Sequence, residues 1–175
     1  MTSSPTPQPE FWLRGPLPNV PPLLQPIAHA LLQARQEVET ALADFPDAHL
    51  TARPAGVASV GFHLRHLAGV LDRMQTYARH QPLSETQLAY LAAENNVPTA
   101  PGSTTALVQH FRETVDQLLA YLPTVPESSL PEFRPVGRKQ LPSTVIGLLI
   151  HAAEHTTRHV GQLLVTARVV QAGLG

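Results

Sequence analysis

Proline limits where this chain can form helices. The sequence holds 18 prolines in 175 residues, about twice the usual share of about 5%, and proline lacks the backbone donor that a helix interior needs. Seven lie in residues 1–22 and five in residues 123–142. We therefore expect a Pro-rich N-terminal extension over residues 1–22, a folded domain over residues 23–172, and a long loop at residues 123–142 that could cross one end of the domain. The extension is either held on the body by Phe11 and Trp12 or is a mobile tail.

The stretches between the prolines carry apolar residues at helical spacing. This pattern predicts four long amphipathic helices and one short one. They cover residues 23–45, 58–80, 84–95 (the short one), 102–122 and 143–170. Ser59, Ser84 and Ser143 are the expected N-caps. Because no segment alternates as a strand would, the sequence predicts an all-α, antiparallel four-helix bundle with a minor inserted helix.

Charge and composition exclude several classes of function. Twelve Lys and Arg against thirteen Asp and Glu leave a net charge of −1 without a basic block, so nucleic acid is not an expected partner. The absence of cysteine excludes a disulfide framework, a thiolate zinc finger and a cysteine nucleophile. Residues 1–10 lack the cationic segment of a secretory signal, and no apolar run approaches the roughly 18 residues of a membrane span. We expect a cytoplasmic protein with no membrane partner.

Histidine is concentrated in two of the predicted helices. His151, His155 and His159 follow one another at intervals of four residues, which places them on one face of the last helix, about 40° apart around its axis. The outer two are about 12 Å apart along the axis. One ion with Zn–N bonds of about 2.0–2.1 Å can therefore take either the first two or the last two. The third ligand must come from another helix, and His63 and His66 are the candidates there.

This pattern is typical of metal sites inside helix bundles, which take ligands from facing helices. Two histidines from one helix and one from another leave a position open for water or substrate, as in catalytic zinc sites. The simpler alternative is that the histidines are hydrogen-bonded core residues. Imidazole suits zinc, nickel, iron and copper alike, so the ligand type does not select the metal.

The residues beside the histidines of the last helix also have two interpretations. Glu154 and Arg158 could orient a ligand or contact substrate, but an exposed ion pair between residues four apart explains them more simply. Glu154 is the nearest carboxylate in sequence, and it points about 100° away from His155 around the helix axis, so no residue stands out as a general base. The remaining histidines are solitary, and surface or core roles are expected for them: His29, His49, His80 and His110.

At these residues the sequence resembles the DinB-like superfamily, metal-binding four-helix bundles that include the YfiT-type proteins. The run His151-x3-His155-x3-His159-x-Gly161-Gln162 is similar to that family's last-helix motif. Residues 59–68 resemble its second-helix motif, in which the histidine before Leu-Ala is a ligand. The resemblance implies a metal triad of His66, His155 and His159, with His63, His151 and Gln162 near the site. It covers about residues 23–170, without the Pro-rich extension and the loop at 123–142.

The resemblance constrains the fold more than the reaction. Some members are thiol-dependent enzymes, such as mycothiol-dependent maleylpyruvate isomerase and bacillithiol transferases, and others are DNA-damage-inducible proteins without an assigned activity. We therefore expect a divalent metal, zinc or nickel first and iron as a further option. It would activate a low-molecular-weight thiol, or water, against a small-molecule substrate. The alternative is a non-catalytic, stress-associated bundle that binds a metal or a ligand.

The end of the last helix is more apolar than one core-facing stripe requires. The residues concerned are Leu163, Leu164, Val165, Val169 and Val170. They indicate either a central helix buried on several sides or a second buried surface, as in a homodimer.

Overall fold

A computed structural model describes residues 8–173, so Pro5 and Pro7 of the predicted extension lie outside the described residues. The helices are α1 Gln25–Ala41, α2 Val60–Ala78, α3 Glu85–Ala92, α4 Ser103–Tyr121 and α5 Val145–Gln171. Residues 8–173 contain no β-strand, only two isolated bridges. The predicted all-α class with one minor helix, α3, is confirmed. In the same residues no helix has both the length and the apolar character that crossing a membrane requires.

The four long helices form the predicted bundle. Two ion pairs join α1 to α4, Arg35 with Asp116 and Glu39 with Arg112. The residue numbers of the paired side chains rise along α1 as they fall along α4, so these two helices run antiparallel. The pairs His63–His159 and His66–His155 show the same for α2 and α5. By contrast, α2 and α4 run parallel. The loop between α1 and α2 accepts hydrogen bonds from backbone amides at the start of both helices, so both begin at the same end of the bundle. The connection through α3 returns the chain along the full length of the bundle. This distance is about 28 Å, because α2 has 19 residues at 1.5 Å each.

The apolar stripes predicted from the sequence form one core. Its largest fully buried side chains include Leu31, Leu64, Leu67, Leu71, Phe111, Leu118, Leu149 and Leu163. Near the end of α5, Leu163 and Val170 are buried, Leu164 and Val169 are half-buried, and Val165 is 61% exposed. This burial is that of a central helix packed on several sides. The homodimer stays a prediction.

The helix starts follow the capping signals in the sequence, with one correction. The Ser59 hydroxyl accepts the amide hydrogen of the third residue of α2 at 3.2 Å, and Ser84 forms a capping box at the start of α3. The N-cap of α5 is Thr144, whose hydroxyl accepts from the amide three residues on at 3.1 Å; the prediction of Ser143 was wrong by one residue. The reason is that the Ser143 carbonyl accepts the Arg134 amide at 2.8 Å, which keeps Ser143 in the preceding loop.

The proline-rich loop has more local structure than its composition suggests. It contains two 3₁₀ turns and two isolated antiparallel bridges. The bridges pair Phe133 with Thr144 and Val136 with Leu141. Arg134 Nε donates to the carbonyl oxygen of Ala78 at 3.0 Å. Because Ala78 is the last residue of α2, the loop lies at one end of the bundle, where the sequence predicts it.

The described part of the N-terminal extension lies against α1. The Phe11 amide donates to the Gln33 side chain at 3.2 Å, and the Gln25 side chain bonds both backbone groups of Leu17 at 2.8 and 2.9 Å. Phe11 is half-buried, whereas Trp12 is 64% exposed. Of the two proposed anchors, Phe11 therefore contacts the body and Trp12 remains largely in solvent. The boundary at residue 22 stays a prediction.

Asp47 caps α4 from the loop that precedes α2. The N-cap Gly102 has no side chain, and the Asp47 carboxylate accepts the amide hydrogens of Thr104 at 2.7 Å and Gly102 at 2.8 Å. These hydrogen bonds, the one from Thr104 first, hold the pKa of Asp47 below its ordinary value. A carboxylate of this kind stabilises the fold above its unfolded pKa of about 3.9, and the stabilisation is lost as the pH falls through the folded pKa.

We therefore expect Asp47→Asn to lower the melting temperature at neutral pH, because the amide forms weaker hydrogen bonds with the helix N-terminus. The difference from the wild type should shrink as the pH falls through the lowered pKa of Asp47. Thermal melts followed by circular dichroism between neutral and acidic pH measure it. The control is Asp44→Asn, since the exposed Asp44 carboxylate has no hydrogen bond within residues 8–173. A difference that does not change with pH would contradict the interpretation.

Candidate metal centre

The antiparallel packing of α2 on α5 brings the predicted triad together. His66 from α2 and His155 and His159 from α5 each offer a ring nitrogen, and these nitrogens lie within 4.8 Å of one another. The Nε2 atoms of His66 and His155 are 2.9 Å apart. The ring centroids of His155 and His159 are 4.4 Å apart, because residues four apart are neighbours on a helix. Of the two pairs that the spacing left open, this geometry uses His155 with His159.

Glu94 contacts the ring nitrogen of His66 that faces away from His155. Its Oε2 is 2.9 Å from His66 Nδ1, and its Oε1 accepts from Arg73 Nη1 at 2.6 Å. Burial by itself would raise the pKa of Glu94, but the hydrogen bonds from His66 and Arg73 outweigh it and the pKa lies below its ordinary value. Glu94 is therefore a carboxylate, which accepts the Nδ1 hydrogen of His66 and leaves Nε2 with its lone pair directed at the site. Carboxylates orient metal-binding histidines in this way.

Gly69 makes room for this buried ion pair. A Cβ atom at position 69 would lie 2.7 Å from Arg73 Nη1, 2.7 Å from Glu94 Oε1 and 3.0 Å from the Tyr90 ring. Both charged side chains are almost fully buried, with 9% of Arg73 and 8% of Glu94 exposed. A glycine one turn before Arg73 thus lets a carboxylate from the loop after α3 reach the inner face of α2.

His63 supports the third member of the triad. Its Nδ1 is 3.1 Å from Nδ1 of His159, and the residue is only 2% exposed. Because His159 can donate its Nδ1 hydrogen to His63, its Nε2 remains free as a ligand atom. His63 therefore orients a triad member from outside the group of three, as the resemblance implied by placing it near the site.

Three histidines of this cluster, His63, His155 and His159, have lowered pKa values, which favours their neutral form. Burial, followed by the charges of His159 and His66, lowers the pKa of His63 to about 4. Burial and the same two neighbours lower the pKa of His155 to about 4, and burial first lowers that of His159 as well. Metal binding requires the neutral imidazole. The lowered pKa values of His155 and His159 thus favour the protonation state that a metal needs.

The other predicted site residues lie on the exposed rim of α5. His151 Nδ1 is 2.8 Å from Glu154 Oε1, and Arg158 Nη2 donates to Glu154 Oε2 at 2.5 Å. The expected ion pair between Glu154 and Arg158 is therefore present. His151, Glu154 and His155 form a second group whose ligand atoms lie within 4.8 Å, but its carboxylate is already held by two partners. Gln162 is exposed and has no hydrogen bond to the triad in the part of the chain described.

The triad fits a divalent transition metal by its donor chemistry. Three imidazoles from two helices are the ligand set of a zinc site with an open position. His66 Nε2 and His155 Nε2 face each other, and Nδ1 of His155 is buried without a hydrogen-bond partner among residues 8–173. A cation between the facing nitrogens would satisfy lone pairs that the protein groups leave poorly matched. Phe62 stacks on His66, with ring centroids 5.4 Å apart and planes 10° apart, and forms an apolar wall beside the site.

Sequence reasoning missed Glu94 and Arg73. Glu94 lies beyond the end of α3, in a turn whose direction no local pattern reveals. Arg73 gave a usable signal, because it follows His66 by seven residues, two helical turns, and so lies on the same apolar face. A buried arginine requires a buried carboxylate partner. The pattern could have indicated that an acidic residue reaches α2, but not which one.

Comparisons with known proteins bear on the family and the fold. A sequence profile described as the DinB superfamily matches residues 30–163. The crystal structure of a conserved protein from Enterococcus faecalis is similar to this one, with a TM-score of 0.68 over 86% of this chain and 98% of that chain, at 23% sequence identity. That likeness shows a shared fold. No curated protein matches the chain significantly.

Proposed function

Because the chain belongs to the DinB superfamily, we propose that His66, His155 and His159 bind a divalent metal and that the protein uses it as an enzyme on a small-molecule electrophile. The observation that carries the proposal is the group of three ring nitrogens within 4.8 Å. Zinc or nickel is the first choice of metal and iron a further option, since imidazole binds all three. When bound, such a metal supplies a lowered pKa for a coordinated thiol or water, and hence a nucleophile near neutral pH.

The residues around the triad favour a thiol over water as the nucleophile. The carboxylates beside the triad are already engaged: Glu94 accepts from His66 and Arg73, and Glu154 from Arg158. Neither is free to accept a proton from the nucleophile, and a thiol loses its proton more readily than water does. In the proposed transfer the thiol sulfur bonds to the electrophilic carbon, the leaving group takes the electron pair of the broken bond, and the thiol proton passes to solvent. Hydrolysis is the second choice.

The same lack of a free base supports one alternative. A bundle that binds a metal or a ligand without catalysis needs the triad, Glu94 and His63 but no proton acceptor. In that case the metal would stabilise the junction of α2 and α5. The two proposals share the metal and differ in turnover.

Metal binding is tested on protein purified without a His-tag. We expect zinc or nickel to bind with about one ion per chain and to raise the melting temperature, because a ligand that binds only the folded state stabilises it. His155→Ala should abolish both effects. The matched control is His110→Ala on α4, an exposed histidine outside the cluster, which should leave both unchanged. Wild-type protein that neither retains metal nor gains stability from it would refute both proposals.

Turnover separates the enzyme from the binding protein. We would assay the metal-loaded protein with N-acetylcysteine and a chlorodinitrobenzene electrophile, and follow the thioether product by absorbance. The enzyme proposal requires a rate above background that His155→Ala loses while its circular dichroism spectrum stays native. Metal-loaded protein without turnover on this pair or on an activated ester would favour the non-catalytic alternative.

A further inference from the structure

A cavity lies at the opposite end of α2 from the histidine triad. It has a volume of about 410 Å³, which is in the range of small-molecule sites. Three segments form it: the end of α2 with residues 77–83, the first turns of α3, and the loop at 135–140. Tyr77 follows His66 by eleven residues, so the cavity lies about 16 Å from the triad along the helix axis. It is therefore separate from the proposed metal centre.

The lining of this cavity combines an apolar surface with cationic and neutral donors. Pro82, Leu83, Leu88 and Pro135 supply the apolar part. Tyr77, His80 and Arg138 supply polar groups, and none of the residues that line the cavity is acidic. In a chain with a net charge of −1, a cavity with an arginine and no carboxylate selects for anions.

Arg138 is the arginine at this end of the bundle that the fold does not use. Arg134 donates to Glu132 and to the carbonyl of Ala78, and Arg79 lies over the Tyr121 ring, 4.6 Å from its centroid. Arg138, by contrast, has no hydrogen bond and no ion pair within residues 8–173. Its guanidinium presents a planar fork of donors that matches a carboxylate with two parallel hydrogen bonds.

The backbone around the cavity is held in an unusual conformation. His80 and Gln140 both have positive φ angles, 59° and 50°, and Gly137 has a φ of 65°. For a residue with a side chain this conformation carries an energetic cost. His80 adopts it to end α2, where its amide donates to Tyr77 O at 2.8 Å, a position that glycine usually occupies. The chain therefore places an imidazole at the edge of the cavity where glycine would fit more easily.

We propose that this cavity binds a small organic carboxylate with an apolar body. The carboxylate pairs with Arg138, and the apolar body packs on the prolines and leucines of the lining. A single guanidinium matches the single charge of a carboxylate better than the nearly double charge of a phosphate group. The proposal does not depend on the metal centre or on the proposed function.

Phenylacetate is a suitable probe, because it joins an apolar ring to one carboxylate. Titrated into ¹⁵N-labelled protein, it should cause saturable amide shifts in residues 77–88 and 135–140. Phenylacetamide has the same shape without the charge and should bind at least tenfold more weakly. Arg138→Gln should weaken phenylacetate binding by a similar factor. The matched control is Lys139→Gln, which removes the same charge one residue along from a side chain that does not line the cavity; it should leave the affinity unchanged.

Several results would overturn the proposal. They are equal affinity for the acid and the amide, equal effects of Arg138→Gln and Lys139→Gln, or no saturable shift at tens of millimolar phenylacetate. Inorganic phosphate that shifts the same signals as strongly would show a site for charge alone and would also refute it. The His155→Ala variant shows that the test is independent of the metal. Phenylacetate should bind this variant with the same affinity as the wild type, even if the metal proposal fails.

Discussion

Replacing Glu94 by alanine should lower the free energy of unfolding by about 3–5 kcal/mol, because it leaves a buried charge without its partner. Arg73 donates to Glu94 at 2.6 Å, and only 9% of its side chain is exposed. Without the carboxylate its guanidinium has neither a counter-ion nor access to water. Urea denaturation followed by circular dichroism measures the loss, with the slope checked for a two-state transition.

Two further variants establish the cause. The double variant Glu94→Leu with Arg73→Met removes both charges and should recover much of the stability, because apolar residues of similar volume can replace a buried ion pair. Glu154→Gln is the matched control, since Glu154 is an exposed carboxylate that also pairs with a histidine and an arginine. It should change stability by less than about 1 kcal/mol. A loss below that value for Glu94→Ala would contradict the assignment of a buried pair.

Glu94→Gln tests the effect of this carboxylate on metal binding. The amide keeps the shape of the side chain but loses the charge that favours an Nδ1 hydrogen on His66. Loss of such a partner reduces metal affinity by about 10–100-fold. Calorimetric titration with zinc measures it, and Glu154→Gln should again behave as the wild type. An unchanged zinc affinity would remove Glu94 from the site and leave it a structural role.

The candidate ligands of the proposed metal site could be predicted because their signal is local. A four-residue repeat places His151, His155 and His159 on one face of any α-helix, whereas the choice of His66, His155 and His159 among the candidates came from the family resemblance. The contact to Glu94 depends on a turn after α3, and that turn is set by packing on α2 instead of by its own residues. Sequence periodicity reports which face of a helix is buried. It carries no information on which loop residue reaches that face.

The same distinction applies to the fold. The helix positions and the caps at Ser59 and Ser84 follow from patterns within a few residues, and the structure confirms them. The parallel course of α2 and α4 depends on the path of the connection between them, which no periodicity encodes. The bridges in the loop at residues 123–142 likewise join residues up to eleven apart, such as Phe133 with Thr144, and this pairing sets the start of α5 one residue later than predicted.

Gly61→Ala tests how the start of α2 is fixed. A Cβ atom there would lie 2.2 Å from Cγ1 of Val97 and 2.9 Å from the carbonyl oxygen of Leu50, which also accepts the Gly61 amide. A stiff β-branched side chain and a backbone atom cannot both move aside at little cost. Overpacking of this kind typically destabilises by about 1–3 kcal/mol. The shift should also disturb His63 and His66, which follow within the next two turns, and so weaken zinc binding.

Gly161→Ala provides the comparison within the same fold. Gly161 lies in the interior of α5, and in the part of the chain described a Cβ placed there has no atom within 4 Å apart from those of its chain neighbours and of the surrounding helix backbone. Both substitutions gain the helix propensity of alanine over glycine, about 1 kcal/mol, so the difference between the two variants isolates the cost of overpacking. Gly161→Ala should raise the free energy of unfolding, and Gly61→Ala should fall below it by about 1–3 kcal/mol in urea denaturation. Equal stabilities would mean that Val97 and Leu50 yield freely, and that their close approach does not position the histidines of α2.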